Sequence, residues 1–234
     1  MNDADRRTKL MQLASGAVFL AIVVGVSLVE SNSSNGDSGG DAESIDGAAE
    51  VNRSLSGIPQ DEMALGEPSA PVELVEFGDL QCPVCKGYAE EILPPIIENQ
   101  VKNGEVKIDF RNFTIIGPQS VDAGAAGLAA GAQERGWNFV ELFYRNQGAE
   151  NSGFADDAFL EAIAKGAGVD DLAKWNEDRK LFRAKVEETS QEAQRLGFNG
   201  TPSFAIEGPG TQGLEPIGTP ESTGALEEAI EDAG

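Results

Sequence analysis

Two cysteines lie between a β-rich segment and a helical one, and they constrain the fold more than any other feature of the sequence. Cys82 and Cys85 are the only cysteines in 234 residues, and they form the motif C-P-V-C within FGDLQCPVCKGY. The preceding run PVELVEF, residues 71–77, predicts a strand that ends at Gly-Asp. Because a proline directly after Cys82 suits the first position of a helix, Cys82 is predicted at a helix N-terminus.

The segments after the cysteines predict a βαβ unit. A helical pattern continues through YAEEILPPIIENQVKNG, and Pro94-Pro95 is expected to kink or restart this helix. The run EVKIDFRNF, residues 105–113, alternates apolar and charged side chains, as a half-buried strand does. Strand, helix and strand in this order indicate a right-handed crossover.

The rest of the chain predicts a helical block followed by a hairpin and a last helix. Residues from about 120 to 195 have helical character, and the segment at 169–197 predicts one long helix or two. TPSFAIEG, residues 201–208, predicts a strand, and LEPIG is expected to pair back on it as a hairpin. PESTGALEEAIEDAG predicts a closing helix.

The charge balance excludes several classes of function. The chain has 40 acidic and 17 basic residues, a formal net charge of -23, and no histidine. Such a surface repels phosphate backbones, so no nucleic acid is expected as a partner. The absence of histidine excludes histidine-based triads and zinc sites with histidine ligands.

The N-terminal segments predict export. Residues 1–9 contain three basic side chains and are predicted to be cytoplasmic, and the uncharged residues 10–29 match the length of about 20 residues that a membrane-spanning helix needs. A cleaved signal peptide, which would leave a secreted protein, is the other interpretation. Residues 30–56 predict a flexible acidic Ser/Gly linker. The domain at 57–234 is therefore expected on the extracytoplasmic side of a single-pass membrane anchor.

Three interpretations of the cysteine pair remain open. A structural disulfide that closes a four-residue loop contributes only about 2 kcal/mol on the chain-entropy estimate, against about 4.7 kcal/mol for a 100-residue loop. A zinc site needs more ligands than two thiols provide, although two thiolates suffice for Cu(I). A redox pair fits the predicted helix N-terminus, where backbone N–H groups stabilise a thiolate at Cys82, the species that takes part in thiol–disulfide exchange.

The motifs FGDLQCPVC and GFNGTPSFAIEG together resemble those of the DsbA family of thiol–disulfide oxidoreductases. The resemblance runs from about Gly57 to about Ile230 and is closest to the membrane-anchored, extracytoplasmic type of bacteria. It implies an α/β, thioredoxin-like fold with a large helical insertion, at about 120–195, between the βαβ and ββα halves. No metal and no organic cofactor are implied.

The resemblance also implies roles for individual residues. Cys82 would be the attacking cysteine and Cys85 the resolving one, with Pro83 and Val84 tuning the Cys82 thiolate. Pro202 would be a cis-proline beside the pair, and Thr201 would offer backbone hydrogen bonds to an extended substrate segment. The best-known oxidases of this family have a histidine in place of Val84. Val84 supplies no such cation, and Lys86 either supplies a positive potential or points to solvent.

Glu76 is a further candidate, because it shares a strand face with Val72 and Leu74. A glutamate on a buried face is costly unless it has a function. Many members of the family have an acid six residues before the first cysteine. Glu76 occupies that position, and it is predicted to be a buried proton acceptor for Cys85, with an edge-exposed glutamate as the other interpretation.

The function expected from these features is the introduction of disulfides into exported proteins by exchange through the C-P-V-C pair. Reduced or unfolded exported proteins would be the substrates, and a quinone-linked membrane oxidase of the DsbB or VKOR kind would reoxidise the pair. A disulfide reductase or isomerase of the same fold is one alternative. A thiol-based Cu(I) carrier is the alternative from another class.

Overall fold

The computed structural model describes residues 45–234. The helix that follows Cys82, here called the cysteine helix, runs through residues 83–101 as four contiguous segments: Pro83–Gly87 and Leu93–Ile96 are α-helical, and Tyr88–Ile92 and Ile97–Val101 are π-helical. The strands are β1 (Gln60–Asp61), β2 (Ala64–Leu65), β3 (Val72–Gly78), β4 (Val106–Asn112), β5 (Ser203–Glu207) and β6 (Glu215–Gly218). The remaining helices are α1 (Ala48–Ser54), α2 (Pro118–Gly131), α3 (Gly136–Arg145), α4 (Asp157–Ala167), α5 (Leu172–Leu181), α6 (Arg183–Arg195) and α7 (Thr223–Ala233).

The six strands form one sheet in the order β1-β2-β4-β3-β5-β6. Only β3 and β4 pair in parallel, so the predicted βαβ unit is present, with the cysteine helix as its crossover. β5 and β6 form the predicted antiparallel hairpin, and α7 closes the chain as predicted. In the cysteine helix, Pro94 and Pro95 lie in a short α-helical segment between the two π-helical segments, as expected for prolines that interrupt regular hydrogen bonding.

Alternate side chains of the central strand β3 pack on opposite faces of the sheet. Leu74 belongs to the larger hydrophobic cluster, which includes residues of the cysteine helix, α2 and α3. Val75 and Phe77 belong to a smaller cluster with Phe113 and Ala193. Both faces of β3 are therefore covered, and a side chain on either face is removed from water.

The predicted helical insertion is confirmed, since α2 to α6 lie between β4 and β5. The segment for which one or two helices were open divides into α5 and α6, with Phe182 between them. Trp137 and Trp175 are 0% and 1% exposed, and their indole N–H groups donate to the carbonyls of Met63 and Ala126. The insertion thus has its own apolar core, and this core is continuous with one face of the sheet.

The prediction of a flexible linker extending to residue 56 is wrong for residues 45–56. Val51 and Leu55 are 6% and 4% exposed and anchor α1 in the main core. The Asn52 amide donates to the carbonyl of Gly166, and Arg145 pairs with Glu50 at 2.8 Å. Two well-spaced apolar side chains suffice to dock this short helix, although its polar composition resembles that of a linker.

The predictions for residues 1–9 and 10–29, and for the linker up to residue 44, lie outside the described residues. Across residues 45–234, none of the helices combines the length and the apolar character needed to span a bilayer.

Candidate active site

Cys82 caps the N-terminus of the cysteine helix, as the sequence predicts. Its backbone is extended, with φ −75° and ψ 121°, and Pro83 occupies the first helical turn. The Cys82 N–H donates to the Asp79 carbonyl at 2.9 Å, and the Lys86 N–H donates to the Cys82 carbonyl at 3.2 Å. The Cys82 side chain therefore lies where the unpaired N–H groups of a helix converge.

A buried carboxylate holds the loop between β3 and the cysteine helix. Asp79 is 0% exposed, and its Oδ1 accepts from the Gln81 N–H at 2.9 Å. Its Oδ2 accepts from the N–H groups of Ile115 and Ile116 at 2.9 and 3.0 Å. Because leaving any of these groups unpaired would be costly, the bonds fix the approach to Cys82. In the sequence Asp79 marks only the end of a strand, and nothing there indicates this role.

The helical insertion supplies further support for the same loop. The Gln147 side chain, which follows α3, donates to the carbonyls of Leu80 and Cys82 at 2.7 and 3.1 Å. The Gln81 side chain donates to the Ser120 hydroxyl at 2.9 Å, at the start of α2. No motif in the sequence marks these residues, because they meet only through the tertiary fold.

The Cys82 thiol is acidic and nearly buried, with 6% of its surface exposed. The pKa of Cys82 is lowered to about 6, chiefly by a hydrogen bond from the Cys85 thiol. Burial opposes this decrease, and hydrogen bonds from the Thr201 side chain and from the N–H groups of Cys85 and Val84 add to it. This balance favours the thiolate near neutral pH, even without a cation at Val84.

The Cys85 thiol has the opposite character. It is 0% exposed, and burial raises its pKa well above the ordinary value. Its hydrogen bond to Cys82 and the charge of Glu76 raise the pKa further. The two cysteines are both free thiols in this structure, and at neutral pH the pair carries one thiolate on Cys82 and one proton on Cys85.

The second predicted motif lies directly beside the cysteines. The Thr201-Pro202 peptide bond is cis, and it immediately precedes β5. The Cys82 Sγ atom lies 3.5 Å from the Thr201 carbonyl oxygen. The Thr219 hydroxyl donates to the Pro202 carbonyl at 2.7 Å, which ties this segment to the strand end of β6. The fold therefore brings together residues that lie far apart in the sequence.

Glu76 is buried, so the edge-exposed interpretation is wrong. It is 1% exposed, and it lies in β3 between Phe110 of β4 and Phe204 of β5. Its Oε1 atom has no hydrogen-bond partner within residues 45–234. Burial raises the pKa of Glu76 to about 8, and the charges of Glu141 and Cys82 contribute to the increase. A group with this pKa can take up and release a proton near neutral pH.

The rim of the site is apolar. Val84, in the first turn of the cysteine helix, is 54% exposed, and Ile115, whose N–H donates to Asp79, is 47% exposed. The Lys86 ammonium lies 3.6 Å from the Glu90 carboxylate, so it forms an ion pair along the cysteine helix. The part of the chain that the structure describes contains no group of three or more His, Cys, Asp or Glu side chains arranged to hold a metal ion.

The geometry of the site is that of one class of protein. A cysteine pair opens a helix after the central strand of a mixed sheet, and a cis-proline segment lies against the first cysteine. One thiol is acidic and retains a small exposed surface, and the other is fully buried and protonated. This is the arrangement of a thiol–disulfide exchange site on a thioredoxin-like fold.

Comparisons with known proteins agree with this class. A family model described as Thioredoxin matches residues 59–232. The chain is 32% identical over 152 residues to a probable disulfide bond formation protein D of Bacillus cereus, over 63% of this chain and 70% of that protein. It is 29% identical over 161 residues to disulfide bond formation protein D of Bacillus subtilis, over 66% and 72% of the two chains. The crystal structure of oxidised BdbD from Bacillus subtilis matches with a TM-score of 0.65 and 25% identity, over 75% of this chain and 97% of that one.

The chain belongs to the thioredoxin family and, within it, to the DsbA-like thiol–disulfide oxidoreductases. The predicted fold class, the family resemblance and the assignment as a protein thiol–disulfide oxidoreductase are confirmed.

Proposed function

We propose that this protein introduces disulfide bonds into exported proteins by exchange through Cys82 and Cys85. The observation that supports this most is the asymmetry of the two thiols: the pKa of Cys82 is lowered to about 6, while that of Cys85 is raised. An acidic thiol is a good leaving group, and a stabilised thiolate makes the reduced form of the pair more stable. Both effects favour transfer of the disulfide to the substrate.

The reaction begins with the oxidised pair. A substrate thiolate attacks the Cys82 Sγ atom, the Cys82–Cys85 bond breaks, and Cys85 leaves as a thiolate that takes up a proton. The second substrate thiolate then attacks the substrate sulfur of the mixed disulfide, and Cys82 leaves as a thiolate. The substrate loses two electrons and gains a disulfide, and the cysteine pair gains the two electrons. Cys82 is the leaving group of the last step, and its low pKa favours that step.

Thr201 and Pro202 provide a place for the substrate chain. The Thr201 carbonyl lies 3.5 Å from the Cys82 Sγ atom, at the start of β5. An extended segment that pairs with Thr201 would bring its cysteine to Cys82 by strand addition. The exposed Val84 and Ile115 would then contact apolar side chains of an unfolded substrate. We therefore assign substrate positioning to Thr201 and Pro202.

Glu76 acts as the buried proton acceptor for Cys85. Its carboxyl is near enough to Cys85 for its charge to raise the pKa of that thiol, and it has a pKa of about 8 itself. Cys85 must lose its proton whenever it attacks a mixed disulfide on Cys82, and no histidine exists in the chain to take it. Glu76 is a buried base on the face of β3 that also carries Leu74, which belongs to the same hydrophobic cluster as Cys85.

The cellular setting is part of the same proposal. Residues 10–29 anchor the chain in the membrane, and the described domain lies on the extracytoplasmic side, where disulfides persist. A quinone-linked membrane oxidase of the DsbB or VKOR kind reoxidises the reduced pair. The support for this setting is the charge and hydropathy pattern of residues 1–29 together with membership of a family of disulfide-forming enzymes.

The experiment is oxidation of a reduced two-cysteine peptide by the full chain in its disulfide form, followed by mass spectrometry. The wild type should convert the peptide to its disulfide with stoichiometric reduction of the Cys82–Cys85 pair. Cys85→Ser, loaded on Cys82 with a small mixed disulfide, should hold a one-cysteine version of the peptide on Cys82 far longer than the wild type does, because neither Cys85 nor a second substrate thiol can then displace it. A peptide that remains reduced in the presence of excess oxidised protein would contradict the proposal.

A further inference from the structure

A second carboxyl with a buried oxygen atom lies in α3, and the reaction described so far gives it no role. Glu141 lies in α3, and its Oε1 atom is buried without a hydrogen-bond partner in the described part of the chain. The Oε1 atom of Glu76 is likewise buried without a hydrogen-bond partner in the described part of the chain. An ionised carboxylate in such a position is strongly disfavoured, and a structural role would normally provide it with a donor. A buried carboxyl oxygen without a donor favours the protonated form, so both groups are suited to proton exchange.

The fold places the two carboxyls in one electrostatic environment. Gly78, at the end of β3, has no side chain, and a Cβ atom there would lie 3.2 Å from the Tyr144 hydroxyl of α3. This close approach seats α3 against the end of β3, and the Tyr144 hydroxyl also lies 3.4 Å from the Asp79 carbonyl. The charge of Glu141 raises the pKa of Glu76, so the two carboxyls share one electrostatic environment.

Glu141 also reaches a cavity that is separate from the Cys82 surface. The cavity has a volume of about 610 Å³ and lies between α1, the cysteine helix and α3. Its titratable and charged lining residues are Asp46, Glu50, Glu90, Glu98, Glu141, Tyr144 and Arg145. Water in this cavity can therefore exchange protons with Glu141 without entering the substrate side of the site.

The charges around Glu141 do not neutralise it. The pKa of Glu141 is raised to about 8, chiefly by burial and also by the charge of Glu90, whereas Arg145 lowers it. The Arg145 guanidinium is already engaged with Glu50 at 2.8 Å and with Asp46 at 3.4 Å. Glu76 in turn faces Cys82 and Cys85 in addition to Glu141. The charges of Glu76 and Cys85 also act on Tyr88 and Tyr144. Burial, the largest cause, raises the pKa values of both phenols and keeps them protonated.

We propose that Glu141 is a positioning residue for the Cys85 proton: it forms a buried acid pair with Glu76, and the pair exchanges that proton with water in the α1–α3 cavity. This inference rests on the proposed role of Glu76. When the Cys82–Cys85 disulfide is broken, the Cys85 thiolate takes a proton from the Glu76 carboxyl, and the pair regains one proton from the cavity. When Cys85 attacks a mixed disulfide, its proton moves to Glu76, and the acid pair releases one proton to the cavity. The electrons stay with the sulfur atoms throughout.

The test uses the reduced full chain and a disulfide reagent that releases a coloured aromatic thiolate. Attack by Cys82 releases the first thiolate, and attack by Cys85 on the resulting mixed disulfide releases the second. Stopped-flow measurement across a range of pH separates the two phases. The first phase reports the Cys82 thiolate, whereas the second phase reports the loss of the Cys85 proton.

Glu141→Gln should lower the pH midpoint of the second phase by about one pH unit, a tenfold change in proton affinity, because it removes the negative neighbour that raises the pKa of Glu76. The first phase should keep its midpoint. Glu141→Asp, which keeps a carboxyl, should keep the wild-type midpoint. Glu98→Gln is the matched control: it lines the same cavity but pairs with Lys102 at the surface, and it should change neither phase.

A double substitution distinguishes this inference from the role of Glu76 itself. If Glu141 acts through Glu76, Glu141→Gln should have no further effect on the second phase in a Glu76→Gln background. A second-phase midpoint that is unchanged in Glu141→Gln, or a shift that persists without Glu76, would overturn the inference and leave the role of Glu76 intact. A second phase that is unchanged in Glu76→Gln would overturn the role of Glu76 first.

Discussion

Cys82 and Cys85 lie one helical turn apart, yet their surroundings shift their pKa values in opposite directions. Cys82 receives hydrogen bonds at a helix N-terminus, and Cys85 is enclosed by apolar groups and faces an acidic side chain. The difference does not need a cation, so the valine at position 84 leaves the attacking thiol acidic. The helix start and the neighbouring Thr201 compensate for the missing histidine.

Glu76→Gln tests the residue on which the buried chemistry depends. The second phase of the coloured-thiolate reaction should slow by at least about tenfold near neutral pH, because the proton of Cys85 loses its acceptor. The first phase should nearly keep its rate at neutral pH, since Glu76, with a pKa of about 8, is largely uncharged there and has little effect on the Cys82 thiolate. Glu73→Gln is a suitable control, because Glu73 lies on the same strand but pairs with Lys107 at 2.8 Å. Equal slowing of both variants would show a general effect of charge loss in β3.

The site residues that the sequence could reveal are those in motifs. The cysteine pair and the Thr-Pro sequence are local patterns, and Glu76 follows from strand alternation. Glu141 is hidden in the sequence because it lies between Val140 and Leu142, where a charge on an amphipathic helix normally faces water. Only the tertiary packing of α3 buries its Oε1 atom.

At the scale of elements, periodicity predicted β3, β4, the β5–β6 hairpin and the helical insertion. β1 and β2 have two residues each, too few for any alternation to be visible. α1 was missed because only Val51 and Leu55 become buried within a polar stretch. Its docking depends on partners in α3 and α4 that lie far along the chain, such as Asn138 and Gly166.

Leu55→Ala tests whether the α1 segment belongs to the folded domain. Leu55 is 4% exposed, so its truncation should lower the free energy of unfolding by about 2 kcal/mol or more in urea denaturation. Leu181→Ala is the matched control, because the same substitution at a side chain that is 76% exposed should change little. Equal, near-zero effects of the two variants would mean that residues 45–56 behave as the linker that their composition suggests.

At the scale of the whole molecule, the helical insertion and the thioredoxin-like part form one functional unit. Gln147 and Ser120 of the insertion hold the cysteine loop, and α3 supplies Glu141 next to β3. The insertion therefore does more than cover the sheet. Its Gln147 and Ser120 side chains position the loop that carries the reactive thiol, and its α3 helix supplies the Glu141 carboxyl and part of the cavity wall. The chain topology could be predicted from sequence, but this second role depends on contacts between distant elements.

The reduction potential of the Cys82–Cys85 pair in glutathione buffers tests the central claim most directly. The pKa of Cys82 of about 6 lies between the values of about 7 in thioredoxin and about 3.5 in DsbA. The full chain should therefore have a potential between that of thioredoxin, about −270 mV, and that of DsbA, about −120 mV, and measurably less negative than the thioredoxin value, so that it is a better oxidant of substrate thiols than thioredoxin. A value near about −270 mV, as in thioredoxin, would mean that electrons flow toward the substrate, and it would contradict the assignment as an oxidase.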